Sequence, residues 1–346
     1  MHRLIGTFVA FVAACAISVA PSAAAVPKLD HIVIIMLENH SQASVLGNAA
    51  APHISALAKK YAYAAKYYGV THPSLPNYVA ITSGNNWYSN SDDPMQRFDH
   101  VNIVDQLEAA HLSWTAYMES MPYSGFMGAY YPTDPNKALY VARHNPFVLF
   151  NDIRTDLARL KHDVPLTQLT TDLAMGKLAR YVWISPNVCR DMHGQPADEC
   201  PYSNDMKLRV DGDAFVGQWV AKIMASKAWT KRSVIFVMTD ETDYNGDKAT
   251  GGWLNADACC NSPIVPAAAS FFPAGGQYGG GLSPFVAIGD PVKRGFAGRI
   301  PYNHYSVLRT IEESWHLPLL GMATDTINVK ALDDLFQVKR RLRKAL

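Results

Sequence analysis

Apolar runs of strand length recur along the chain, and most are followed by a stretch with helical spacing. The clearest run is His31–Leu37, which reads HIVIIML and suits a strand buried on both faces of a parallel sheet. The pattern predicts further strands at 113–117, 180–184, 233–238 and 284–288, and helices at 52–63, 75–83, 213–225 and His304–Trp315. This alternation predicts an α/β sandwich with a mainly parallel sheet. Segment 242–281, rich in Gly, Asn, Asp and Ala, is typical of a long functional loop.

The first 25 residues have the pattern of a signal peptide. Arg3 precedes an apolar stretch over 4–20, and three alanines at 23–25 form a small-residue cleavage pattern. We therefore expect a mature chain that begins at Val26, forms a single domain over 26–346, carries no transmembrane anchor and is secreted or periplasmic.

Export bears on the four remaining cysteines, Cys189, Cys200, Cys259 and Cys260. An even number in an exported protein predicts disulfides, and three pairings are open. A bridge between neighbours would be strained, so the sequence favours crossed pairing of Cys259 and Cys260 with the other two. A zinc site is the alternative, but the spacing lacks two CxxC pairs.

Composition excludes two broad classes. The chain has 346 residues, 49% hydrophobic and 18% charged, with a net charge of +1. This argues against disorder and against a general nucleic-acid binder, which needs a strongly basic surface. The basic tail at 339–344 suits a solvated helix end or weak attraction to anionic lipid.

Polar side chains follow three of the predicted strands directly. They are Glu38 and Asn39 after the first strand, Asn187, Asp191 and His193 after the strand near 184, and Asp240 and Glu241 after the strand near 238. The carboxyl ends of parallel strands share one edge, where ligands bind. A buried acidic cluster needs a compensating cation, and its oxygen ligands favour Mg, Ca or Mn, while added histidine favours Zn or Fe.

Ser74 lies where a helix begins, in the segment THPSLPNY. Pro73 and Pro76 stiffen the turn, and Gly84 closes the helix. A helix amino end favours a bound phosphate, and with a metal it would activate the Ser74 hydroxyl as a nucleophile. The plainer alternative is that Ser74 is only an N-cap.

Five blocks in order resemble one family. They are ENHS at 38–41, THPSLPNY at 71–78, SPN at 185–187 with DMH at 191–193, TDE at 239–241, and NHY at 303–305. This sequence resembles the bacterial phosphoesterase family of secreted acid phosphatases and phospholipases C, from about residue 31 to about residue 318. The resemblance implies a three-layer, alkaline-phosphatase-like α/β core.

The resemblance also implies a role for each matching residue. The implied catalytic residues are Ser74, His193 and His144, the implied substrate-binding residues are Asn77, His304 and Asp191, and the implied metal ligands are Glu38, Asn39, Ser74, Asp240 and Glu241. Ser74 would form a phosphoseryl intermediate, and the cofactor would be a divalent metal ion (Mg, Ca, Mn or Zn). His193 or His144, as imidazolium, would protonate the leaving alcohol, which predicts an acidic pH optimum. For His304, capping of the following helix is an equal alternative.

The function expected from these roles is a metal-dependent phosphomonoesterase, with lipid phosphates among its conceivable substrates. A phospholipase C that cleaves phosphodiesters at the same site is the alternative, although an extra lipid-binding domain is not evident. A sulfatase is disfavoured because Asn77 stands where that class needs arginine. A non-enzymatic binder of metals or polyanions is the remaining alternative.

Overall fold

The computed structural model describes residues 26–197, 199–243, 256–264 and 278–337. The expected signal peptide, the basic tail and most of segment 242–281 lie outside these residues. No helix in the described ranges is both long enough and apolar enough to cross a membrane.

An eight-stranded sheet forms the centre of the described structure, in the order β11-β2-β10-β9-β1-β8-β4-β7. Two small two-stranded sheets pair β12 with β3 and β5 with β6. The strands are β1 His31–Leu37, β2 Ala62–Ala64, β3 Tyr67–Tyr68, β4 Trp114–Met118, β5 Tyr130–Tyr131, β6 Tyr140–Val141, β7 Asp163–Pro165, β8 Tyr181–Ser185, β9 Ser233–Thr239, β10 Phe285–Ile288, β11 Phe296–Gly298 and β12 Tyr302–Asn303.

Helices flank this sheet, with α2 packed on α8 and α3 packed on α9. Trp183 of β8 contacts Tyr78 of α3, so the second helix pair lies over the centre of the sheet. The α-helices are α1 Gln42–Val45, α2 Pro52–Lys60, α3 Ser74–Ser83, α4 Ile103–Ala109, α5 Asn151–Arg154, α6 Leu157–Leu160, α7 Thr167–Ala174, α8 Asp205–Ala225 and α9 His304–Trp315. Short 3-10 helices span Ala142–His144, Pro146–Leu149, Gly321–Thr324 and Asp333–Leu335.

Strand direction places three strand ends at one edge. β1 pairs in parallel with β8 on one side and with β9 on the other. All seven residues of β9 are buried, as expected for a central parallel strand. Among the described strands of the eight-stranded sheet, only β10 runs antiparallel to its neighbours, β9 and β2. The mainly parallel α/β sandwich predicted from the sequence is therefore confirmed.

Two helix boundaries differ from the prediction. The predicted helix over 52–63 ends at Lys60, because residues Ala62–Ala64 instead pair with β10 and β11 as β2. The helix expected to start at 213 starts at Asp205, where the Asn204 side chain caps it by accepting from Lys207 N. In the first case strand pairing sets the boundary and in the second a capping side chain does, and helical spacing alone locates neither.

The predicted disulfides are present, but the favoured crossed pairing is wrong. The structure pairs Cys189 with Cys200 and Cys259 with Cys260, and no bridge joins the two loops. Cys189 and Cys200 lie 5.4 Å apart at Cα, within the normal range for a bridge, so they pair locally. That leaves the neighbouring cysteines to pair with each other.

Candidate active site

Ser74 is the first residue of α3 and is buried. Pro73 occupies the N-cap position, and Gly84 ends the helix in the left-handed conformation with φ 75°. The Ser74 hydroxyl makes no capping bond to the helix. It donates instead to Glu38 Oε2 at 2.8 Å and lies 3.4 Å from Glu241 Oε1. The N-cap alternative therefore does not describe this serine.

Tyr78 lies one helical turn after Ser74 and holds the other Glu38 oxygen. Its hydroxyl donates to Glu38 Oε1 at 2.5 Å. The Tyr78 ring stacks on the His144 ring, with 5.5 Å between the ring centroids and 6° between the planes. Tyr78 therefore fixes both the carboxylate and the imidazole beside the serine, a role that the sequence analysis did not assign.

Buried carboxyl groups that follow β1 and β9 converge on Ser74. Burial, together with Asp240 and Asp191, holds the pKa of Glu38 well above its usual value. Burial raises the pKa of Asp240 to about 6, and burial with Asp240 nearby raises that of Glu241 well above normal. Like charges packed this closely cannot all stay ionised without a compensating positive charge.

Two buried oxygens at this cluster have no hydrogen-bond partner among the described residues. They are Asn39 Oδ1 and Asp240 Oδ2. Asn39 has φ 49°, and this turn lets its backbone N–H donate to Asp240 Oδ1 at 3.1 Å. Carboxylate, amide and hydroxyl oxygens are hard ligands, and orphaned lone pairs among them fit a divalent cation. Five residues bring such oxygens together: Glu38, Asn39, Ser74, Asp240 and Glu241.

His144 and His193 bring imidazole nitrogens to the same cluster. His144 Nδ1 lies 2.9 Å from Asp191 Oδ2, and His193 Nδ1 lies 2.7 Å from Gly194 O. Each Nδ1 therefore carries the proton, and each Nε2 keeps its lone pair. Glu38, His144 and His193 offer ligand atoms within 4.8 Å of one another. An imidazole oriented through Nδ1 by an acceptor is the usual arrangement around a metal, so Glu38, His144 and His193 form an alternative to the predicted ligand set.

The environment of the two imidazoles disfavours the predicted imidazolium acid. Burial, then the Arg143 charge, lowers the pKa of His193 to about 3. The same two causes hold the pKa of His144 well below its usual value. Both rings are therefore neutral at neutral pH in the metal-free protein, and the expected acidic optimum loses the support of a resting imidazolium.

Asn77 and Asp191 lie at the cluster but are engaged by the chain itself. Asn77 Oδ1 accepts from the backbone N–H groups of Val70 and Thr71 at 2.8 and 3.1 Å. Its Nδ2 donates to Thr71 O at 2.7 Å and lies 3.4 Å from Glu241 Oε2. Asp191 binds His144 and also accepts from His193 N at 2.8 Å. Their contacts orient the cluster, and a direct contact with substrate stays a prediction.

His304 contacts the backbone carbonyl of Asp240. Its Nδ1 lies 2.6 Å from the Tyr67 hydroxyl, and its Nε2 lies 2.5 Å from Asp240 O. The capping alternative for His304 is wrong, because Asn303 is the N-cap of α9. The Asn303 side chain also donates to the carbonyls of Cys259 and Cys260, at 3.3 and 3.1 Å.

Three further polar residues border the cluster and were not found from the sequence. His72 Nδ1 lies 2.8 Å from Glu241 Oε2. Asp92 Oδ1 accepts from Leu75 N at 2.9 Å, so this first-turn N–H is already occupied. Arg143 Nη2 lies 3.1 Å from His193 Nε2. His72 is next to the serine turn and Arg143 next to His144, but only the fold shows where Asp92 lies.

A protein-family model describes much of this chain. The model of the Phosphoesterase family matches residues 48–318. This range includes the serine helix, both imidazoles and the acids after β9, but begins after Glu38 and Asn39.

Curated relatives match most of the chain. A phosphate-repressible acid phosphatase of Penicillium chrysogenum is 30% identical over 295 residues, which cover 84% of this chain and 60% of that protein. A phosphatidylinositol-3-phosphatase of Mycobacterium tuberculosis is 27% identical over 305 residues, covering 88% of this chain and 83% of that protein. The chain thus spans about 60% of the length of the fungal phosphatase.

Solved structures share the fold at low sequence identity. A sulfatase from Pseudoalteromonas sp. superposes with a TM-score of 0.53 at 11% identity, covering 90% of this chain and 72% of that one. A murine ectonucleotide pyrophosphatase/phosphodiesterase superposes with a TM-score of 0.52 at 11% identity, covering 89% and 100%. These likenesses concern the fold alone, and they agree with the predicted α/β sandwich with a mainly parallel sheet.

Proposed function

The chain belongs to the Phosphoesterase family, and from this premise we propose that it is an exported, metal-dependent phosphomonoesterase of the acid phosphatase type. The observation that carries the proposal is the Ser74 hydroxyl, held at the start of α3 at 2.8 Å from Glu38 Oε2. Around it lie buried oxygens that need a cation. The acid phosphatase relatives support the choice of substrate class.

The metal would be held by Glu38, Asn39, Ser74, Asp240 and Glu241, and the lone pair of His144 Nε2 then stays available for proton transfer. When bound, a divalent cation supplies positive charge that stabilises the serine alkoxide and the phosphoryl oxygens. The orphaned Asp240 Oδ2 and Asn39 Oδ1 are the lone pairs that it would satisfy.

The residues of the chain suffice to describe the first chemical step. Ser74 Oγ attacks phosphorus in line, so the Oγ–P bond forms while the bond from phosphorus to the alcohol oxygen breaks. The Ser74 proton passes to Glu38, which already accepts its hydrogen bond. His144 Nε2 lies 3.4 Å from Glu38 Oε1 and is placed to pass a proton on to the leaving alcohol.

Hydrolysis of the phosphoseryl group completes the cycle. Water attacks phosphorus, the Oγ–P bond breaks, and Ser74 recovers a proton as phosphate leaves. A phosphoserine intermediate makes a direct test possible. Rapid acid quench of the protein with a labelled phosphomonoester is expected to trap label on Ser74, and peptide mass spectrometry locates it. Label on another residue, or none with an active enzyme, would contradict the proposal.

The substrate panel separates the monoesterase from the phospholipase C alternative. We expect hydrolysis of p-nitrophenyl phosphate and little release of phosphocholine from phosphatidylcholine. Because the mycobacterial relative that matches over most of its length is a phosphatidylinositol-3-phosphatase, phosphatidylinositol 3-phosphate belongs in the same panel. Preferential cleavage of the diester would favour the phospholipase C.

Export and domain extent are part of the same proposal. We infer that residues 1–25 are removed and that 26–346 act as one domain, since apolar residues of most elements form one continuous core. N-terminal sequencing of protein from the extracytoplasmic fraction is expected to begin at Val26. An unprocessed N-terminus in cytoplasmic protein would contradict export.

A further inference from the structure

A carboxylate and a guanidinium meet beside the amino end of α3, next to the proposed nucleophile. Asp92 Oδ1 accepts from Leu75 N at 2.9 Å, and Leu75 follows Ser74 directly. The other oxygen, Asp92 Oδ2, lies 3.9 Å from Arg143 Nε. One anionic group therefore bridges a helix N-terminal N–H and an arginine, two donors that proteins use to bind phosphate.

The guanidinium of Arg143 is incompletely used. Its Nη2 lies within hydrogen-bond distance of His193 Nε2, at 3.1 Å. Its Nε is buried and has no hydrogen-bond partner among the described residues, since 3.9 Å to Asp92 is too long for such a bond. The side chain is only 14% exposed. A buried charged donor without an acceptor is costly, so this position suits an incoming anion.

The charge around the cluster singles out the same residue. In the part of the chain that the structure describes, Arg143 is the only Lys or Arg whose side chain hydrogen-bonds to one of the candidate site residues. The other charged groups there are acids, which repel a phosphate ester. A phosphomonoester carries up to two negative charges and offers several acceptor oxygens, so it gains more from a guanidinium than a diester with one charge does.

We propose that Arg143 and the Leu75 N–H bind the non-bridging phosphoryl oxygens of a phosphomonoester, and that Asp92 occupies this anion position until the substrate displaces it. The inference rests on the proposed function and deepens it, because it assigns the preference for monoesters over diesters to named residues. Arg143 acts here as a substrate-binding residue, and Asp92 as its competitor.

Two substitutions with opposite expected effects test the inference. Arg143→Ala is expected to weaken inhibition by inorganic phosphate by roughly 10- to 100-fold, because a charge-assisted contact is lost. It should lower kcat/KM for p-nitrophenyl phosphate by a larger factor than that for bis(p-nitrophenyl) phosphate. Asp92→Asn is expected to tighten phosphate binding by about 3- to 10-fold, because the competing negative charge is removed.

Matched controls keep the result interpretable. Arg232→Ala removes an arginine that pairs with Asp30 at the opposite ends of the strands. This variant should leave the inhibition constant for phosphate and kcat/KM unchanged. Arg143→Lys keeps the positive charge but loses the two-pronged geometry of the guanidinium. Its phosphate affinity and its kcat/KM should therefore lie between those of Arg143→Ala and the wild type. Equal losses for monoester and diester in Arg143→Ala, or weaker phosphate binding in Asp92→Asn, would overturn the inference. If Arg143→Ala does not fold, Arg143→Lys and Asp92→Asn decide.

Failure of the inference and failure of the proposed function give different results. Phosphate binding is measured directly by calorimetry on the full mature chain, separately from turnover. An enzyme that hydrolyses monoesters with Arg143→Ala unimpaired keeps its function and loses the inference. A protein that binds phosphate through Arg143 but hydrolyses no phosphate ester keeps the binding site and loses the proposed function.

Discussion

Two buried aspartates in this molecule have opposite surroundings. Asp213 of α8 faces the start of α2, where its Oδ1 accepts from Ile54 N at 2.7 Å. Its Oδ2 accepts from the backbone and ring nitrogens of His53, at 3.0 and 2.7 Å. Both oxygens are therefore satisfied by a helix amino end, which also favours the negative charge.

Only one of the two carboxylate oxygens of Asp240 accepts a hydrogen bond from the described residues. Its Oδ1 accepts from Asn39 N, while Oδ2 has no hydrogen-bond partner among the described residues. It also lies beside Glu38, whose pKa it raises. The comparison teaches that burial of an acid is not by itself a sign of function. An acid that the chain satisfies holds the fold together, whereas an acid left unsatisfied among other acids points to a cation.

Removal of the Ser74 hydroxyl is the most drastic way to test the unsatisfied region. Ser74→Ala is expected to reduce turnover of p-nitrophenyl phosphate by about 10³-fold or more, since the attacking atom is lost. The melting temperature should change little. Ser83→Ala, at the other end of the same helix, is the control and should keep its turnover per folded molecule. Substantial turnover in Ser74→Ala would remove that residue from the mechanism.

Loss of the metal should have the next largest effect. Dialysis against EDTA is expected to lower activity by roughly 10²-fold or more, and re-addition of one of Mg, Ca, Mn or Zn should restore it. Bound metal is quantified by elemental analysis. Full activity in protein shown to be free of metal would contradict the interpretation of Asp240 and its neighbours.

The paired variants Asp240→Asn and Asp213→Asn turn the comparison into a direct experiment. Asp240→Asn is expected to lose metal and activity while the metal-free protein keeps or gains stability, because it removes one repelling charge. Asp213→Asn should keep its metal but lose about 2 kcal/mol of unfolding free energy, because an amide N–H would face donors at α2. Denaturant unfolding and metal content measure both. The same outcome in both variants would abolish the distinction.

Asp163 of β7 offers a third case with the smallest expected effect. It is buried, its Oδ2 accepts from Asn145 Nδ2 at 2.7 Å, and burial raises its pKa to about 7. A raised pKa means that the folded state holds the proton more tightly, so this contribution is full below about pH 4 and is lost as the pH rises towards 7. Asp163→Asn should flatten the fall in melting temperature over that range by a few degrees. An unchanged profile would show that Asp163 ionises normally.

The acids at the strand ends of the candidate site could be predicted from the sequence. The apolar run at His31–Leu37 and the predicted strand at 233–238 end directly before Glu38 and Asp240, and parallel pairing must then bring these acids together. Ser74 could be predicted because a proline turn and a closing glycine mark the helix on which it lies. These inferences depend on short-range pattern plus one topological rule.

The remaining features depend on long-range contacts that no period in the sequence encodes. Asp92 lies in a loop and reaches Leu75 across 17 positions, while Asp213 reaches Ile54 across 159. The predicted cysteine pairing was wrong for the same reason, because spacing along the sequence does not give the distance between two loops. The neutral state of His144 follows from its complete burial, which a sequence does not reveal.

The contact between Asn303 and the Cys259–Cys260 turn has a practical consequence for the handling of this protein. Asn303 holds two carbonyls of that turn and starts α9, and the next residue, His304, holds the Asp240 carbonyl. Hydrogen bonds from two adjacent side chains, Asn303 and His304, thus connect the Cys259–Cys260 disulfide to the buried Asp240. Material produced in a reducing cytoplasm should therefore show a lower specific activity than oxidised material, and the free-thiol content of each batch is a useful measure of its quality.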